Sequence, residues 1–182
     1  MEWYFLNGVR AEETESTPRQ MNGLVNLVNN DNIVDGSAGL SESLIEDTLY
    51  QLWTHGSVKE YYAFVNKEVK RQINYLYRNS ENVRINVSQG MDQSVGITVQ
   101  RIVSDFGVLN LVLNRHMDPH TMLILDLDQV QIAELRGTFF EMLPRKGDSE
   151  KGHVMNESSI KLLDSYSGAK IINIPVISTE NA

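Results

Sequence analysis

The clearest pattern in the sequence is an apolar residue at every third or fourth position between Leu44 and His55. This spacing predicts an amphipathic helix, because residues three and four apart lie on the same helix face. The predicted apolar face consists of Ile45, Leu49, Leu52 and Trp53. Ser43 and Glu46 are predicted to form a capping box at its start, and Gly56 is predicted to cap its end.

Two further helices are predicted on either side of this one. Met1–Leu6 reads as the last turns of a helix that Gly8 terminates. Tyr61–Val65 is short and apolar, which is typical of a buried strand, and Asn66 after it is a favourable N-terminal cap. The helix that Asn66 caps carries on one face Val69, Ile73 and Leu76.

After Asn79 the chain turns to short segments rich in β-branched residues, which predicts strands. The predicted strands are Val83–Val87, Val95–Ser104, Leu109–Asn114, Met122–Leu127, Val130–Arg136, Thr138–Leu143, His153–Leu163 and Ala169–Pro175. The continuous apolar run from Met122 suits a central strand. Polar, turn-rich segments are predicted as loops, namely Ala11–Gln20, Asn29–Gly39, Arg145–Gly152 and Asp164–Gly168. Helices followed by many strands indicate an α+β fold.

Composition removes several classes of function. The chain has 182 residues, of which 41% are hydrophobic and 22% charged, so we expect one folded domain or two small lobes. It has no cysteine, which excludes disulfides, thiolate nucleophiles and cysteine-based metal sites. The apolar runs are shorter than the about 18 residues that span a bilayer, so no membrane association is expected. A net charge of −8 without a Lys/Arg cluster predicts no sequence-specific nucleic-acid binding.

Two motifs resemble metal-binding elements of enzymes. Asp105-Phe106-Gly107 matches the magnesium-binding tripeptide of protein kinases, but the other kinase motifs do not precede it, so we predict a hairpin turn. Asp126 and Asp128 have the spacing with which transferases hold a metal-bound sugar nucleotide. Since aspartate also favours turns at strand ends through local hydrogen bonds, a turn is the preferred interpretation.

A third motif could chelate zinc, because imidazole and carboxylate groups alternate along it: His116, Asp118 and His120. No distant third ligand stands out in the sequence, and a solvated loop around Pro119 is preferred. The sequence also lacks the nucleophile, phosphate-loop and zinc-protease motifs of common enzymes. We therefore expect a protein that is not an enzyme and that has no cofactor.

The most densely charged loop is flanked by glycines and consists of Lys146, Gly147, Asp148, Ser149, Glu150 and Lys151. A solvated hairpin tip explains it adequately. Tips with alternating charges also suit reciprocal salt bridges between identical copies, where charge selects the register. These six residues are therefore the candidate inter-subunit contact.

Taken in order, short motifs along nearly the whole chain resemble those of tailed-phage major capsid proteins that have the Hong Kong phage type of capsid fold. The motifs are Glu2–Gly8, Met21–Leu24, Leu49–Gly56, Phe64–Asn66, Asp105–Gly107, Leu111–Arg115, Leu123–Asp126 and, most densely, Leu135–His153. Order and spacing carry the resemblance, since no single motif is diagnostic.

The resemblance implies an axial lobe with helices on a mixed sheet and a peripheral lobe of long antiparallel strands. The expected division is 1–13 as the end of a spine helix in the peripheral domain, 14–127 as the axial domain and 128–182 as peripheral strands. The implied function is structural, because such subunits assemble with identical subunits, as pentamers and hexamers, into an icosahedral shell around phage DNA. The loop 146–151 would reach neighbouring capsomers.

The resemblance also implies scaffold, portal or cement proteins as further partners, and a virion location after synthesis in the bacterial host cytoplasm. Family members carry an N-terminal arm, an extended loop and most of a spine helix before the residues that match Glu2, so we expect a C-terminal portion. An alternative is an encapsulin-like nanocompartment shell protein of the same fold. A metal-dependent transferase that uses Asp126 and Asp128 is an alternative of another class.

Overall fold

The chain divides into two units, each with its own secondary structure. Unit 1 comprises Met1–Leu27 and Asp128–Leu163, and unit 2 comprises Val28–Leu127 and Asp164–Ala182. Helices and strands are both present without regular βαβ alternation, which confirms the predicted α+β class.

The computed structural model describes residues 2–16, 19–56, 60–79 and 100–176. Its α-helices are α1 (Glu2–Asn7), α2 (Leu24–Leu27), α3 (Glu42–His55) and α4 (Lys67–Asn79). Its strands are β1 (Ile33–Asp35), β2 (Glu60–Val65), β3 (Arg101–Ser104), β4 (Gly107–Leu113), β5 (Met122–Leu125), β6 (Val130–Lys146), β7 (Ser149–Leu162) and β8 (Gly168–Ile172). Short 3-10 turns occur at Asn30–Asn32, Leu127–Gln129 and Ser165–Ser167. None of the helices in these ranges is both long and apolar enough to cross a bilayer.

Six of the described strands form one mixed sheet in unit 2, in the order β1-β8-β5-β2-β4-β3. β1 is parallel to β8 and β2 is parallel to β4, whereas the other neighbours are antiparallel. β5 lies between β2 and β8, and its residues are fully buried. The prediction that the apolar run from Met122 forms a central strand is therefore confirmed.

Helices α3 and α4 share one apolar core with the sheet of unit 2. α3 contributes Ile45, Leu49 and Leu52, each at most 1% exposed. The predicted face is correct for these residues but wrong for Trp53, which is 53% exposed. Trp53 follows Leu52 directly, so the step of about 100° per residue turns its side chain away from the core.

α3 begins earlier than predicted. Its N-cap is Ser41, whose Oγ accepts a hydrogen bond from the Leu44 N–H at 3.1 Å. The predicted capping box of Ser43 and Glu46 is therefore wrong, because Ser43 already lies within the helix. Gly56 caps the end as predicted, and its N–H donates to a carbonyl of the last turn at 3.0 Å.

α4 follows β2 directly, as the sequence predicts. The backbone carbonyl of Asn66 accepts a hydrogen bond from the Lys70 N–H at 2.9 Å, and its side-chain Oδ1 accepts from the Lys67 N–H at 2.6 Å. Asn66 therefore caps the helix. The predicted apolar face packs into the core of unit 2 through Val69, Ile73 and Leu76.

The segment Asn29–Gly39 was predicted as a loop, but it contains a 3-10 turn and β1. The buried side chain of Asn32 explains the difference. Its Nδ2 donates to the backbone carbonyl of Tyr166 at 3.0 Å and to that of Gly168 at 2.9 Å. These bonds hold the segment beside β8, with which β1 pairs. Local composition does not reveal contacts so distant along the chain.

Strands β6 and β7 are longer than predicted, whereas β8 is shorter than the predicted strand Ala169–Pro175. The two predicted strands from Val130 to Leu143 form the single strand β6, and the predicted loop Arg145–Gly152 contributes residues to both β6 and β7. The predicted strand Val83–Val87 and the first part of the predicted strand Val95–Ser104 lie outside the described residues.

Unit 1 has few buried apolar side chains of its own. In its described part they are Leu6 and Leu24. The Gly23 N–H donates to the Gly8 carbonyl at 2.8 Å, so the end of α1 touches the residue that precedes α2. A Cβ at either glycine would collide with backbone atoms, which is why this close approach requires glycine.

β6 and β7 form a two-stranded antiparallel ribbon within unit 1. Lys146 pairs with Ser149, so Gly147 and Asp148 make the turn. Gly147 has a φ of +79°, in the left-handed region that two-residue hairpin turns demand and that glycine adopts readily.

The two units differ from the expected domain division in two segments. Residues 14–27 belong to unit 1 and residues 164–182 belong to unit 2. The second difference arises because β8 pairs with β1 and β5 in the sheet of unit 2. The assignment of unit 2 as the axial domain and of unit 1 as the peripheral domain remains a prediction.

Replacing Ile73 by alanine is expected to lower the free energy of unfolding by about 2 to 5 kcal/mol, because it removes a fully buried side chain from the core. Tyr75→Ala is the matched control, since this larger side chain on the same helix is exposed and its loss should cost about 0.5 kcal/mol or less. Urea unfolding followed by circular dichroism measures both. Equal losses would contradict the assigned core.

Gly147→Ala is expected to destabilise the ribbon by about 1 kcal/mol, because alanine is strained at positive φ. Amide hydrogen exchange along β6 and β7 measures the effect as faster opening. Gly137→Ala in the same ribbon is the control, because an added Cβ there meets no atom closer than 3.9 Å and the backbone is not left-handed. Similar exchange in both variants would argue against the turn.

Candidate subunit interface

The distal half of the β6–β7 ribbon has two faces of different character. Residues directly opposite on antiparallel strands share a face, and successive pairs alternate between the faces. The apolar face is formed by the pairs Phe140 with Val154 and Met142 with Gly152. The mixed face is formed by the pairs Phe139 with Met155, Glu141 with His153 and Leu143 with Lys151.

The side chains of the apolar face are exposed. Phe140 is 61% exposed, Met142 56% and Val154 66%. A Cβ at Gly152 would collide with the Phe140 ring, so this glycine leaves the room in which the ring lies across the ribbon. The result is an apolar surface that the described side chains of the ribbon leave exposed.

The mixed face combines a contact between a histidine and a carboxylate with further apolar side chains. His153 Nε2 lies 3.5 Å from Glu141 Oε2. Phe139, Leu143 and Met155 are each between 37% and 42% exposed. Apolar side chains therefore remain accessible on both sides of the ribbon.

Irregular register in β6 gives the ribbon its local twist without exchanging the faces. Shifts occur between Glu134 and Arg136, between Arg136 and Phe139, and near Pro144. Bulges add residues to one strand and increase the twist. Each of the first two shifts adds one residue to β6, and two extra residues leave the alternation between the faces unchanged. Ile132 therefore lies on the same side of the ribbon as Phe140.

Glu157 forms two ion pairs at the base of the ribbon, one with the N-terminal part of unit 1 and one within the ribbon. Glu157 of β7 contacts Arg19, and its Oε2 lies 3.5 Å from Arg136 Nε. Arg19 and Glu157 line a groove of about 780 Å³ whose other polar residues include Gln20 and Asn156. All three charged side chains are partly exposed, so each pair contributes about 0 to 1 kcal/mol and mainly sets position.

The six candidate contact residues lie together at the tip of the ribbon. Lys146 ends β6, Gly147 and Asp148 form the turn, and Ser149 begins β7, with Glu150 and Lys151 following in the same strand. The side chains of Asp148, Glu150 and Lys151 are exposed. A contact made by this tip remains a prediction.

The kinase-like tripeptide forms the predicted hairpin turn. Ser104 pairs with Gly107, so Asp105 and Phe106 connect β3 to β4. The Phe106 ring packs edge-on against Tyr50 of α3, with ring centroids 5.1 Å apart. Its role in this structure is therefore a turn with an aromatic contact.

The other motifs that suggested metal binding serve local structure. The His120 N–H donates to Asp118 Oδ1 at 2.7 Å, and His120 Nδ1 lies 2.8 Å from the Ile174 carbonyl. Asp126 is buried at the end of β5, whereas Asp128 is exposed in a 3-10 turn. Across the described ranges no three His, Asp or Glu side chains are grouped as metal ligands.

Sequence reasoning missed the two-sided exposure of the ribbon, although the sequence carries a signal for it. Two adjacent apolar residues in a strand point to opposite faces, so such doublets mean that both faces are to be covered. The ribbon has three doublets of large apolar residues, namely Phe139–Phe140, Met142–Leu143 and Val154–Met155. Charge patterning drew attention to the tip instead.

Comparison with known proteins identifies the family. A family model described as SU10 major capsid protein matches residues 1–175. Among curated proteins no relative matches this chain.

Several solved structures are similar in fold. An encapsulin, in the holo-SrpI encapsulin complex from Synechococcus elongatus PCC 7942, has a TM-score of 0.58 at 11% identity over 88% of this chain and 59% of its own. The satellite phage P4 procapsid including size determination (Sid) protein has a TM-score of 0.58 at 15% identity, over 96% and 58%. The putative capsid protein of a prophage of E. coli CFT073 has a TM-score of 0.52 at 13% identity, over 96% and 62%.

This chain therefore spans about three fifths of the length of the solved chains that it matches. At 11 to 15% identity these similarities establish the fold alone. The family model, which matches almost the whole chain, establishes more. The chain belongs to the SU10 major capsid protein family and has the capsid fold.

Proposed function

We propose that this chain is part of a phage major capsid subunit that assembles with identical subunits into the icosahedral shell around phage DNA. Family membership supports a structural role, and the proposal includes that the protein catalyses no reaction. Location in the virion follows from the same membership, and synthesis in the host cytoplasm belongs to the proposal.

The β6–β7 ribbon carries this proposal. Two-stranded ribbons are at best marginally stable alone in water, because they have no second layer to pack against. This ribbon is long and exposes apolar side chains on both faces. Exposed apolar patches of this kind mark contacts between proteins. In a capsid protein, identical copies are the partners available in the largest number, and we assign the ribbon to contacts between them.

The tip of the ribbon is proposed as a second contact. Asp148, Glu150 and Lys151 place both signs of charge within four residues at the end of a projecting hairpin. Exposed ion pairs add little affinity, but they select register and reject misaligned copies. We therefore propose that the tip aligns neighbouring capsomers while the apolar side chains supply most of the binding energy.

Unit 2 is proposed as the axial domain of pentamers and hexamers, and unit 1 as the peripheral domain. The chain carries a net charge of −8, which would keep packaged DNA from adhering to the shell. Scaffold, portal and cement proteins are further proposed partners.

An encapsulin-like nanocompartment is the second candidate, and one observation favours it. The encapsulin structure matches the fold with the same TM-score as the phage P4 procapsid. The family model favours the phage shell. The contents of isolated particles separate the two, because nuclease-protected DNA indicates a phage head and a protein cargo indicates a nanocompartment.

Phe140→Ser combined with Val154→Ser is expected to abolish particles, because it removes the apolar face of the ribbon. Negative-stain electron microscopy and sedimentation velocity measure assembly. Leu113→Ser is the control, since Leu113 is equally exposed but lies in β4 of unit 2. Wild-type protein that forms no particle under any assembly condition would contradict the proposed function. Particles from the double variant would show that the apolar face is not a contact.

Asp148→Lys combined with Glu150→Lys is expected to weaken assembly on the order of tenfold, which corresponds to about 1.4 kcal/mol. The control is Glu12→Lys with Glu13→Lys, which changes the net charge equally in another exposed segment. Light scattering during assembly measures both variants against salt concentration. Equal behaviour of the two would mean that total charge matters and that the tip makes no specific contact.

A further inference from the structure

The outer surface of α3 is acidic at its start and aromatic at its end. Glu42, Glu46 and Tyr50 are four residues apart and form one exposed stripe, with Trp53 beside its end. Tyr50 and Trp53 are stacked with ring centroids 6.5 Å apart, and both are more than half exposed. We call Glu42, Glu46, Tyr50 and Trp53 the α3 patch.

The outer surface of α4 has the same spacing with the opposite charge. Lys67, Arg71 and Tyr75 are also four residues apart, and all three are exposed. Lys67 Nζ lies 3.6 Å from Glu68, yet the Lys67 side chain remains 82% exposed. We call Lys67, Arg71 and Tyr75 the α4 patch.

A hollow beside the α3 patch suits a long basic side chain. It has a volume of about 220 Å³, an apolar lining that includes Ile102 and Val103, and carboxylates from Glu42, Glu46 and Asp105. Lysine and arginine bury their apolar stems while the charged head stays at a polar rim. Burial and the carboxylates of Glu42 and Glu46 raise the pKa of Tyr77, which also lines the hollow, to about 12.

We propose that the α3 patch of one copy binds the α4 patch of a neighbouring copy within a ring of subunits. This inference rests on the proposed function and specifies one contact of the assembly. The spacing supports it, because four residues of helix rise about 6 Å, so parallel alignment places Glu42 beside Lys67 and Glu46 beside Arg71. The same alignment brings the two tyrosines together at the other end.

The proposed partner of the α3 patch is a second copy of this chain, because the same chain carries both the α3 patch and the complementary α4 patch. Nucleic acid would be repelled by the α3 patch, whereas the α4 patch is complementary to it in charge, order and spacing. A contact between two different patches is heterologous, the type from which rings are built. Exposed ion pairs contribute about 0.2 to 1 kcal/mol each, so the charges set alignment and the aromatic rings add buried area.

Charge exchange tests the contact. One variant carries Glu42→Lys with Glu46→Lys, and the other carries Lys67→Glu with Arg71→Glu. Alone, each variant places like charges in the contact, and self-association in sedimentation velocity should weaken at least tenfold. An equal mixture restores opposite charges at every contact between unlike variants, so assemblies in which the two variants alternate, such as six-membered rings, should associate within about twofold of wild type. The variant with all four changes should also recover.

The outcomes separate this inference from the proposed function. Wild-type chains that never associate would overturn both. Wild-type association with no loss in either charge variant, or loss that the mixture does not restore, would overturn the α3–α4 contact and leave the shell function intact. A fold control comes from circular dichroism of each variant, since all four positions are exposed.

Cross-linking provides a second readout that does not depend on the strength of association. The native chain has no cysteine, so Tyr50→Cys and Tyr75→Cys, introduced in separate chains, give two unique thiols. A disulfide needs Cα atoms about 4.4 to 6.8 Å apart. With oxidised glutathione as the oxidant, the mixed dimer should exceed either like dimer several-fold. A statistical mixture of the three dimers would contradict the contact.

Discussion

In the described part of the chain, the distal half of the β6–β7 ribbon is a two-stranded sheet with both faces exposed, and this constraint governs unit 1. Side chains alternate between its two faces, so every apolar residue of β6 and β7 points to water unless another layer covers it. Fully burying one Phe, Met or Val side chain stabilises by about 1.5 to 3 kcal/mol relative to leaving it exposed. Phe140, Met142 and Val154 are each more than half exposed, so most of this free energy is gained only when another protein surface packs against them. On the proposed function, assembly is the process that completes the packing of the ribbon.

Unit 2 is built in the opposite way. Nearly all buried apolar side chains of the described chain belong to it, and its sheet is covered by two amphipathic helices. Unit 2 is thus stabilised by its own core, whereas the described ribbon of unit 1 has no such core. A domain with its own core can hold its surface helices in fixed positions, which is what a contact that depends on spacing requires. The outer stripes of α3 and α4 can match a neighbour only because their inner stripes, represented by Leu49 and Ile73, are anchored.

The sequence predicted those features that depend on residues close together along the chain. The periodicity of α3, the cap at Asn66 and the turn after Ser104 involve neighbours within a few positions, and the structure agrees with them. Two local predictions, the capping box at the start of α3 and the burial of Trp53, were wrong. The other errors arose where contacts between distant residues determine the structure. Asn32 looks like a loop residue until its side chain meets the carbonyls of Tyr166 and Gly168. The apolar doublets of the ribbon can be found in the sequence. Their exposure became clear only from the structure, in which the described ribbon is a two-stranded sheet with both faces exposed.

Low identity to other capsid structures is compatible with the same fold because burial, rather than residue identity, sets the architecture. A buried central strand such as β5 tolerates different apolar side chains of suitable volume, which is compatible with a shared fold at identities of 11 to 15%. The exposed faces follow a different rule. In an assembly of identical chains a substitution in a contact residue, as Phe140 is proposed to be, changes every copy of that contact at once, and the new side chain must still fit the surface of the neighbour. Contacts between copies therefore differ from one protein of this fold to the next. They must be inferred from the exposed side chains of the protein itself and not from structures of similar fold.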